Sequence, residues 1–213
     1  LFRSWKPKLE KDNITFVEMP SPFVDFTKVK INAVKFETFV PGVSSAKALD
    51  VLLNDVERVK QFDRLIDSKI ELKKIEGTND VIYHSKYKSP VWGVAARDMC
   101  TRVTSRTYLT IEERKTLKIA SSDEDLKNID EVFLHVGFDA STETPPAKNY
   151  QRAQVHCFGF MAQHDKARNG LILTNTFSMD PCGSIPKSIV SAGNVEQVEK
   201  LRLVRQLLTE MPR

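Results

Sequence analysis

The C-terminal third of the sequence constrains the fold most, because an apolar strand pattern runs directly into a long amphipathic helix pattern. Between Leu171 and Met179, apolar and β-branched residues recur with a period of two, which is typical of a β-strand. The turn that follows contains Pro181 and Gly183, and both residue types interrupt strand pairing. From Val190 onward one helical face collects the apolar residues Leu201, Val204, Leu207, Leu208 and Met211. This arrangement predicts that the helix folds back over the sheet that contains its own preceding strand.

The rest of the chain predicts one α+β domain, residues 1–213, built on an antiparallel sheet. Strand patterns cover residues 14–19, 28–40, 69–75, 80–87, 98–108, 116–122, 150–161 and 171–179, and a further helix pattern covers residues 44–63. Residues 123–148 show no regular pattern, so we expect residues 131–148 to form a surface insertion. The sequence begins at Leu1 rather than Met, which favours an excised piece. We expect residues 1–13 to be the remainder of an N-terminal helix.

Charge and cysteine usage narrow the class of protein. The net charge is +4, but acidic and basic residues are interspersed and no dense Lys/Arg block occurs, so we expect no nucleic-acid partner. The three cysteines are odd in number and lack CxxC spacing, which favours a reducing compartment and therefore the cytoplasm. No run of about 18 apolar residues is present, so the sequence predicts contact with a membrane surface rather than a span.

Signatures of catalysis are missing from the sequence. It contains no GxSxG, HExxH, P-loop or GxGxxG motif. The four histidines do not pair with the cysteines at metal-ligand spacing. His156 and Cys157 are adjacent in a strand pattern and therefore point to opposite faces, which argues against a Cys-His nucleophile. We expect a protein that is not an enzyme and that needs neither a cofactor nor a metal.

Four short motifs in a fixed order resemble those of the START (StAR-related lipid transfer) domain. They are Phe62-Asp63, Arg97-Asp98, Arg152-Ala153, and the DPxGxIP pattern of residues 180–186. The resemblance covers nearly the whole chain from about residue 14. It implies a helix-grip fold, in which a curved antiparallel sheet is closed by the C-terminal helix over a hydrophobic tunnel. This sequence departs from the family at residues 131–148, at Phe62 in place of Trp, and at Val103, where some relatives carry a tunnel arginine.

The resemblance also implies which residues meet a ligand. The polar candidates are Asp63, His84, His156 and Asn175. Their expected neighbours on the same face of the sheet are Ile82, Met99, Thr101, Val103, Phe158, Phe177 and Met179. The helix would contribute Val190, Leu201, Val204 and Leu208. Each histidine is more often a satisfied core or surface residue, and a carboxylate such as that of Asp63 is more often a structural acceptor or solvent-exposed, so both alternatives stay open at this point.

Trp92 lies in a loop pattern between two strands and has two interpretations. Together with Val91 and Val94 it is suited to the interface of a membrane, where an amphipathic ring is favoured. Alternatively, its ring caps the tunnel from inside. The two interpretations do not exclude each other.

We therefore expect a monomeric, non-enzymatic lipid carrier that touches membranes transiently. One lipid would occupy the tunnel, with a phospholipid slightly favoured over a sterol or a ceramide because several polar residues converge there. Two alternatives remain: a lipid-gated regulatory module of a larger protein, and an enzyme on the same fold. Transfer between vesicles distinguishes a carrier from a regulatory module, and turnover of a bound substrate would indicate an enzyme.

Overall fold

The structure is a computed structural model, and it describes residues 6–11, 13–20, 32–45, 47–48, 52, 56–89, 91–108, 110–117, 122–183, 185 and 187–210. The strands are β1 (Lys6–Lys11), β2 (Ile14–Pro20), β3 (Asn32–Pro41), β4 (Ile66–Lys74), β5 (Val81–Tyr87), β6 (Arg97–Tyr108), β7 (Ile129–Asp139), β8 (Gln151–Arg152), β9 (Gln154–Asp165) and β10 (Gly170–Asp180). The helices with defined bounds are α1 (Val56–Phe62), α2 (Ile111–Thr116), α3 (Asp123–Asn128) and α4 (Lys187–Glu210).

One antiparallel sheet organises the fold, as the sequence predicts. Its strand order is β1-β2-β3-β10-β9-β7-β6-β5-β4, and β8 pairs in parallel with the start of β6. The predicted strand β10 lies near the centre of the order, between β3 and β9, with Asn175 opposite Phe36 on β3 and Phe160 on β9. Residues directly opposite one another share a face of a sheet. Because Phe36 and Phe160 pack in the core with residues of α4, we call this side the inner face.

Helix α4 covers part of the inner face. It packs on β3 and β2 and against α1. Leu201, Val204 and Leu208 form one helical stripe and are buried, which confirms the predicted covering role of the helix. Burial of each such side chain contributes about 1.5–3 kcal/mol, enough to hold the helix on the sheet. The side chains of residues 187–195, including Val190, and all of residue 211 lie outside what the structure describes.

Three predictions of local structure are wrong. Residues 6–11, expected to be helical, form the edge strand β1. Residues 131–139, expected to belong to a surface insertion, lie in β7 between β6 and β9. Thr116, expected to begin a strand, ends helix α2, which starts with a capping box: the Thr110 hydroxyl accepts from the Glu113 N–H, and the Glu113 carboxylate accepts from the Thr110 N–H.

The connection between β7 and β8 packs over the outer face of the sheet. Hydrogen bonds to one buried carboxylate hold it in place. Asp98 accepts hydrogen bonds from Arg152 Nη2 at 2.9 Å and from the Ala147 N–H at 2.8 Å, and His84 Nε2 lies 2.8 Å from it. Arg152 also donates to three carbonyl oxygens of the connection. Burial raises the pKa of the Asp98 carboxyl, but these hydrogen bonds outweigh burial and hold the pKa below its ordinary value.

Among the helices that the structure describes, none combines the length and the apolar character needed to cross a bilayer.

Candidate functional site

The inner face is largely apolar, but α4 covers it unevenly. Under the helix, Phe36 and Leu171 are completely buried. Several apolar and aromatic side chains of this face are only half-buried, although Val103 on β6 is buried; the half-buried ones are Tyr83, Tyr87, Met99, Phe158 and Phe177. A surface of this kind is in reach of solvent and of an apolar ligand.

Six of the ten strand residues predicted to face a ligand share the inner face. The register of the sheet places these side chains together: Met99, Thr101, Val103, Phe158, Asn175 and Phe177. Asn175 is buried and donates its side-chain N–H to the Gly159 carbonyl oxygen at 3.1 Å, so the sheet itself fixes the orientation of this amide. Contact between these residues and a ligand stays a prediction.

Ile82 and His84 were expected on the same face, and the structure places them on the outer face. On β5, the residues opposite inner-face Thr101 and Val103 are Tyr83 and Val81, so the alternate positions 82 and 84 point away from α4. The physical reason is strand parity: a shift of one residue exchanges the two faces. His84 instead lies against Asp98 beneath the connection after β7.

A β-bulge changes the surroundings of His156 and Met179. The pairing of β9 with β10 steps from Cys157 opposite Ser178 to Val155 opposite Met179, which leaves His156 as the extra residue. Its Nδ1 lies 3.5 Å from Oγ of Ser178, a residue that alternates to the outer face. The bulge therefore takes His156 out of the alternation on which its predicted inner-face position depended, while Met179 is half-buried at the end of β10.

An ion pair lies where α1, α4 and the inner face meet. Lys200 Nζ is 2.8 Å from the Asp63 carboxylate, and both side chains are largely buried. The same Nζ is 5.8 Å from the ring centroid of Phe62 and 5.9 Å from that of Phe160. Asp63, predicted as a polar ligand contact, thus holds a cation within the aromatic part of the core. Burial, followed by the Asp63 charge, raises the pKa of the nearby Tyr87 phenol, which keeps the phenol neutral.

A second lysine, which the sequence analysis did not single out, lies close to this pair. Lys69 on β4 places its Nζ 4.2 Å from the ring centroid of Tyr83. Burial, and then the charge of Lys200, lower the pKa of Lys69 from 10.5 to about 8. Within the described part of the chain, no carboxylate oxygen lies within 4 Å of Lys69 Nζ. The positive charge of its ammonium group is therefore only weakly balanced by negative charge nearby.

His135 on β7 completes the polar cluster. It is 6 % exposed, its Nδ1 lies 2.8 Å from the Ser105 hydroxyl, and its ring packs edge-on against Phe158. Burial, and then the positive charges of Lys69 and Lys200, lower the pKa of His135 from 6.5 to about 3. The imidazole is consequently neutral near pH 7 and can both donate and accept a hydrogen bond.

A crevice between the end of α1 and α4, beside Asp63 and Lys200, has a volume of about 20 Å³. Such a volume holds about one water molecule. A lipid does not fit in this crevice, so the crevice is not the predicted tunnel.

The loop between β5 and β6 carries a completely exposed tryptophan. Trp92 has no buried surface, Val91 is also exposed, and Val94 is half-buried. The interpretation in which Trp92 caps a tunnel from inside is therefore wrong. Arg97, at the end of this loop, donates to the Pro181 carbonyl oxygen at 2.8 Å and to the Cys182 carbonyl oxygen at 3.0 Å. This contact ties the Trp92 loop to the turn that leads into α4.

Sequence patterns could have found two of the three missed residues. Lys200 precedes buried Val204 by one helical repeat of four, so it shares the covered side of α4. His135 lies in the β-branched and apolar run from Val132 to Val136, which indicates a strand buried on both faces. Lys69 gave no such signal, because apolar and polar residues alternate poorly along β4. Only the pairing of β4 with β5 shows which face of the sheet Lys69 lies on.

Within the residues that the structure describes, no group of three or more His, Cys, Asp or Glu side chains is arranged to hold a metal ion. The three cysteines are present as free thiols.

No protein-family model matches this sequence, and no curated protein matches it at the sequence level. Solved structures do match its fold. Human StAR-related lipid transfer protein 5 superimposes with a TM-score of 0.76 at 14% identity, covering 98% of this chain and 88% of the other. Human STARD10 superimposes with a TM-score of 0.71 at 15% identity, covering 98% of this chain and 74% of the other.

A bacterial structure agrees with the two human ones. The STAR-related lipid transfer protein from Xanthomonas axonopodis gives a TM-score of 0.67 at 15% identity, covering 97% of this chain and 99% of the other. These likenesses extend over nearly the whole chain and include the sheet and its C-terminal helix. The chain therefore has the helix-grip fold of the StAR-related lipid transfer (START) domains.

Proposed function

We propose that this protein binds one lipid against its inner face and carries it between membranes without a covalent step. The observation that carries the proposal is the half-buried apolar surface of Tyr83, Met99 and Phe158 next to a compact polar cluster. Apolar surface gains about 25 cal/mol for each Å² removed from water, so acyl chains provide the binding energy. The names of the structurally similar proteins, which describe lipid transfer, agree with this role.

The polar cluster favours a phospholipid over a sterol or a ceramide. Asp63, Lys69, Lys200 and neutral His135 provide several donors and acceptors close together. A sterol presents a single hydroxyl and would leave most of these groups without a ligand partner. A phospholipid head group has enough oxygen atoms to meet them.

Entry of the lipid would use the half-buried part of the inner face rather than the crevice at Asp63 and Lys200, which is too small for a cargo. The loop of Trp92 and the turn before α4 are joined through Arg97 and lie at one end of the site. We propose that Trp92, Val91 and Val94 insert into the membrane interface there. The protein would act as a monomer in the cytoplasm, attached to membranes only during exchange.

Movement of a fluorescent phospholipid from donor to acceptor vesicles tests the carrier role. Native mass spectrometry of the protein after separation from vesicles should show one bound lipid. Bound lipid without transfer would favour the regulatory module instead, and the absence of any bound lipid would contradict both roles.

Replacement of Trp92 by Ala tests the membrane contact. Because Trp92 is completely exposed, we expect Trp92→Ala to weaken vesicle binding and slow transfer while the free energy of unfolding stays unchanged. Ile111→Ala is the matched control, since Ile111 is also an exposed apolar residue but lies at the start of α2. Equal transfer by Trp92→Ala and wild type would exclude the interfacial role.

A further inference from the structure

The interior polar cluster carries more positive than negative charge. The Lys200 ammonium is balanced by Asp63 at 2.8 Å. No carboxylate oxygen of a described residue lies within 4 Å of the Lys69 Nζ; Glu71, opposite Tyr83 on the same face, is exposed to solvent. Tyr83, Tyr87 and His135, which lie near these lysines, are neutral at pH 7. Of the two glutamates that line the crevice beside Lys200, Glu196 is exposed and Glu199 pairs with Arg202 at 2.7 Å.

A partly buried ammonium without a counter-ion is unfavourable, because desolvation is not repaid by an opposite charge. The lowered pKa of Lys69 has the same cause, because burial disfavours the charged ammonium. An anion that enters the site next to Lys69 would remove this penalty and gain a charge-assisted hydrogen bond.

The position of Lys69 suits a head group rather than an acyl chain. It lies on β4, at the edge of the sheet, with its Nζ over the ring of Tyr83. Tyr83 is opposite Thr101, and Met99 follows on the same face, so apolar contact surface begins directly beside the charge. A lipid could therefore place an acidic group at Lys69 and its chains along β5, β6 and β9.

We propose that the site selects lipids with an acidic head group, a phosphate monoester or a carboxylate, and that Lys69 is the residue that selects them. The inference rests on the proposed lipid-binding function and names the class of cargo. A choline head group would bring a second cation toward Lys69 and Lys200 and would be disfavoured by repulsion. A phosphate or carboxylate with no accompanying cation would be favoured.

The test measures which lipid the protein removes from mixed vesicles. Wild type, Lys69→Gln and Lys166→Gln are incubated with phosphatidylcholine vesicles that contain a minor fraction of phosphatidic acid or, in a second arm, of oleic acid. The protein is then separated from the vesicles, and native mass spectrometry identifies the lipid inside it. Because only lipid bound to the separated protein is counted, the general attraction of a basic surface to acidic vesicles does not contribute to the result. Lys166, an exposed residue in the turn between β9 and β10, is the matched control.

We expect wild type and Lys166→Gln to hold the acidic lipid at about tenfold or more above its share in the vesicle, as one charge-assisted hydrogen bond predicts. Lys69→Gln should lose this enrichment while still binding phosphatidylcholine. The two arms show whether phosphate or carboxylate is preferred. Enrichment that is absent in wild type, or unchanged in Lys69→Gln, overturns the proposal while lipid binding stands. A protein that takes up no lipid at all overturns the carrier function itself. Lys69→Met gives a second neutral variant, which should behave like Lys69→Gln.

Discussion

The buried His135 makes the stability of this fold depend on pH in a way that can be calculated. Its pKa is about 3 in the folded protein, against 6.5 for an exposed imidazole. Between these values the unfolded chain binds a proton that the folded protein does not, so folding weakens as the pH falls from 6.5 toward 3. Each unit of pKa shift corresponds to about 1.4 kcal/mol. His135 alone therefore lowers the free energy of unfolding by about 3 kcal/mol between about pH 7 and pH 4.

The variant His135→Gln isolates this contribution from the acids that titrate in the same range. Glutamine does not titrate, and its amide can still meet the Ser105 hydroxyl, which lies 2.8 Å from the imidazole in wild type. Urea unfolding at a series of pH values should therefore show a free energy of unfolding that falls about 3 kcal/mol less in His135→Gln than in wild type. Ser105→Ala is the control: it keeps the imidazole and should keep the wild-type pH profile, because burial is the first cause of the low pKa.

Parallel profiles for wild type and His135→Gln would refute this reasoning. They would mean that water or a counter-ion reaches the imidazole in the folded protein, so that its pKa is near the ordinary value. The imidazole resonances of His135, followed by NMR across the same pH range, give the pKa directly. A measured pKa near 6 would show that burial does not keep the His135 imidazole neutral.

Two further variants test how the sheet is held together. Arg152→Met leaves the buried Asp98 carboxylate without its cation, and urea unfolding should show a loss of about 3–5 kcal/mol; a loss below about 1 kcal/mol would show that Asp98 is solvated or protonated in the folded protein. In Gly159→Ala the new Cβ would lie 2.6 Å from the His135 carbonyl oxygen, so β7 and β9 must separate locally, and the melting temperature should fall by an amount equivalent to about 1–3 kcal/mol. An unchanged melting temperature would mean that the two strands adjust at no cost.

The sequence predicted the central strand and the closing helix well, because each has a clean period. Leu171 and Leu173 alternate toward the core, and Leu201, Val204 and Leu208 recur on one side of α4. Both patterns record the same physical fact, that one side of the element is buried.

The sequence did not predict β7, because apolar residues occupy both of its faces. Phe133 and His135 point inward, while Val132 is buried on the outer side, so the polar alternation that marks a half-exposed strand is missing. Acidic residues at the two ends of the strand further resemble a loop. Consequently one of the polar groups of the site lay in a segment that was expected to be an insertion.

Face assignments failed where pairing, and not periodicity, decides them. Ile82 and His84 alternate correctly along β5, but nothing in the sequence says which parity faces α4. At His156 a bulge interrupts the alternation, and single bulges leave no reliable trace in one sequence.

The motif residues and the residues that we propose to select a ligand overlap only at Asp63, which pairs with Lys200. Arg97, Asp98 and Arg152, which carry the motif resemblance, hydrogen-bond to one another's segments and fix the turn before α4 and the outer-face connection. Within the described residues, their hydrogen bonds do not reach the polar cluster at Lys69 and Lys200. Motif likeness can therefore identify the helix-grip fold while being silent about its cargo, and the charge balance of the inner face becomes the physical quantity from which the class of lipid has to be inferred.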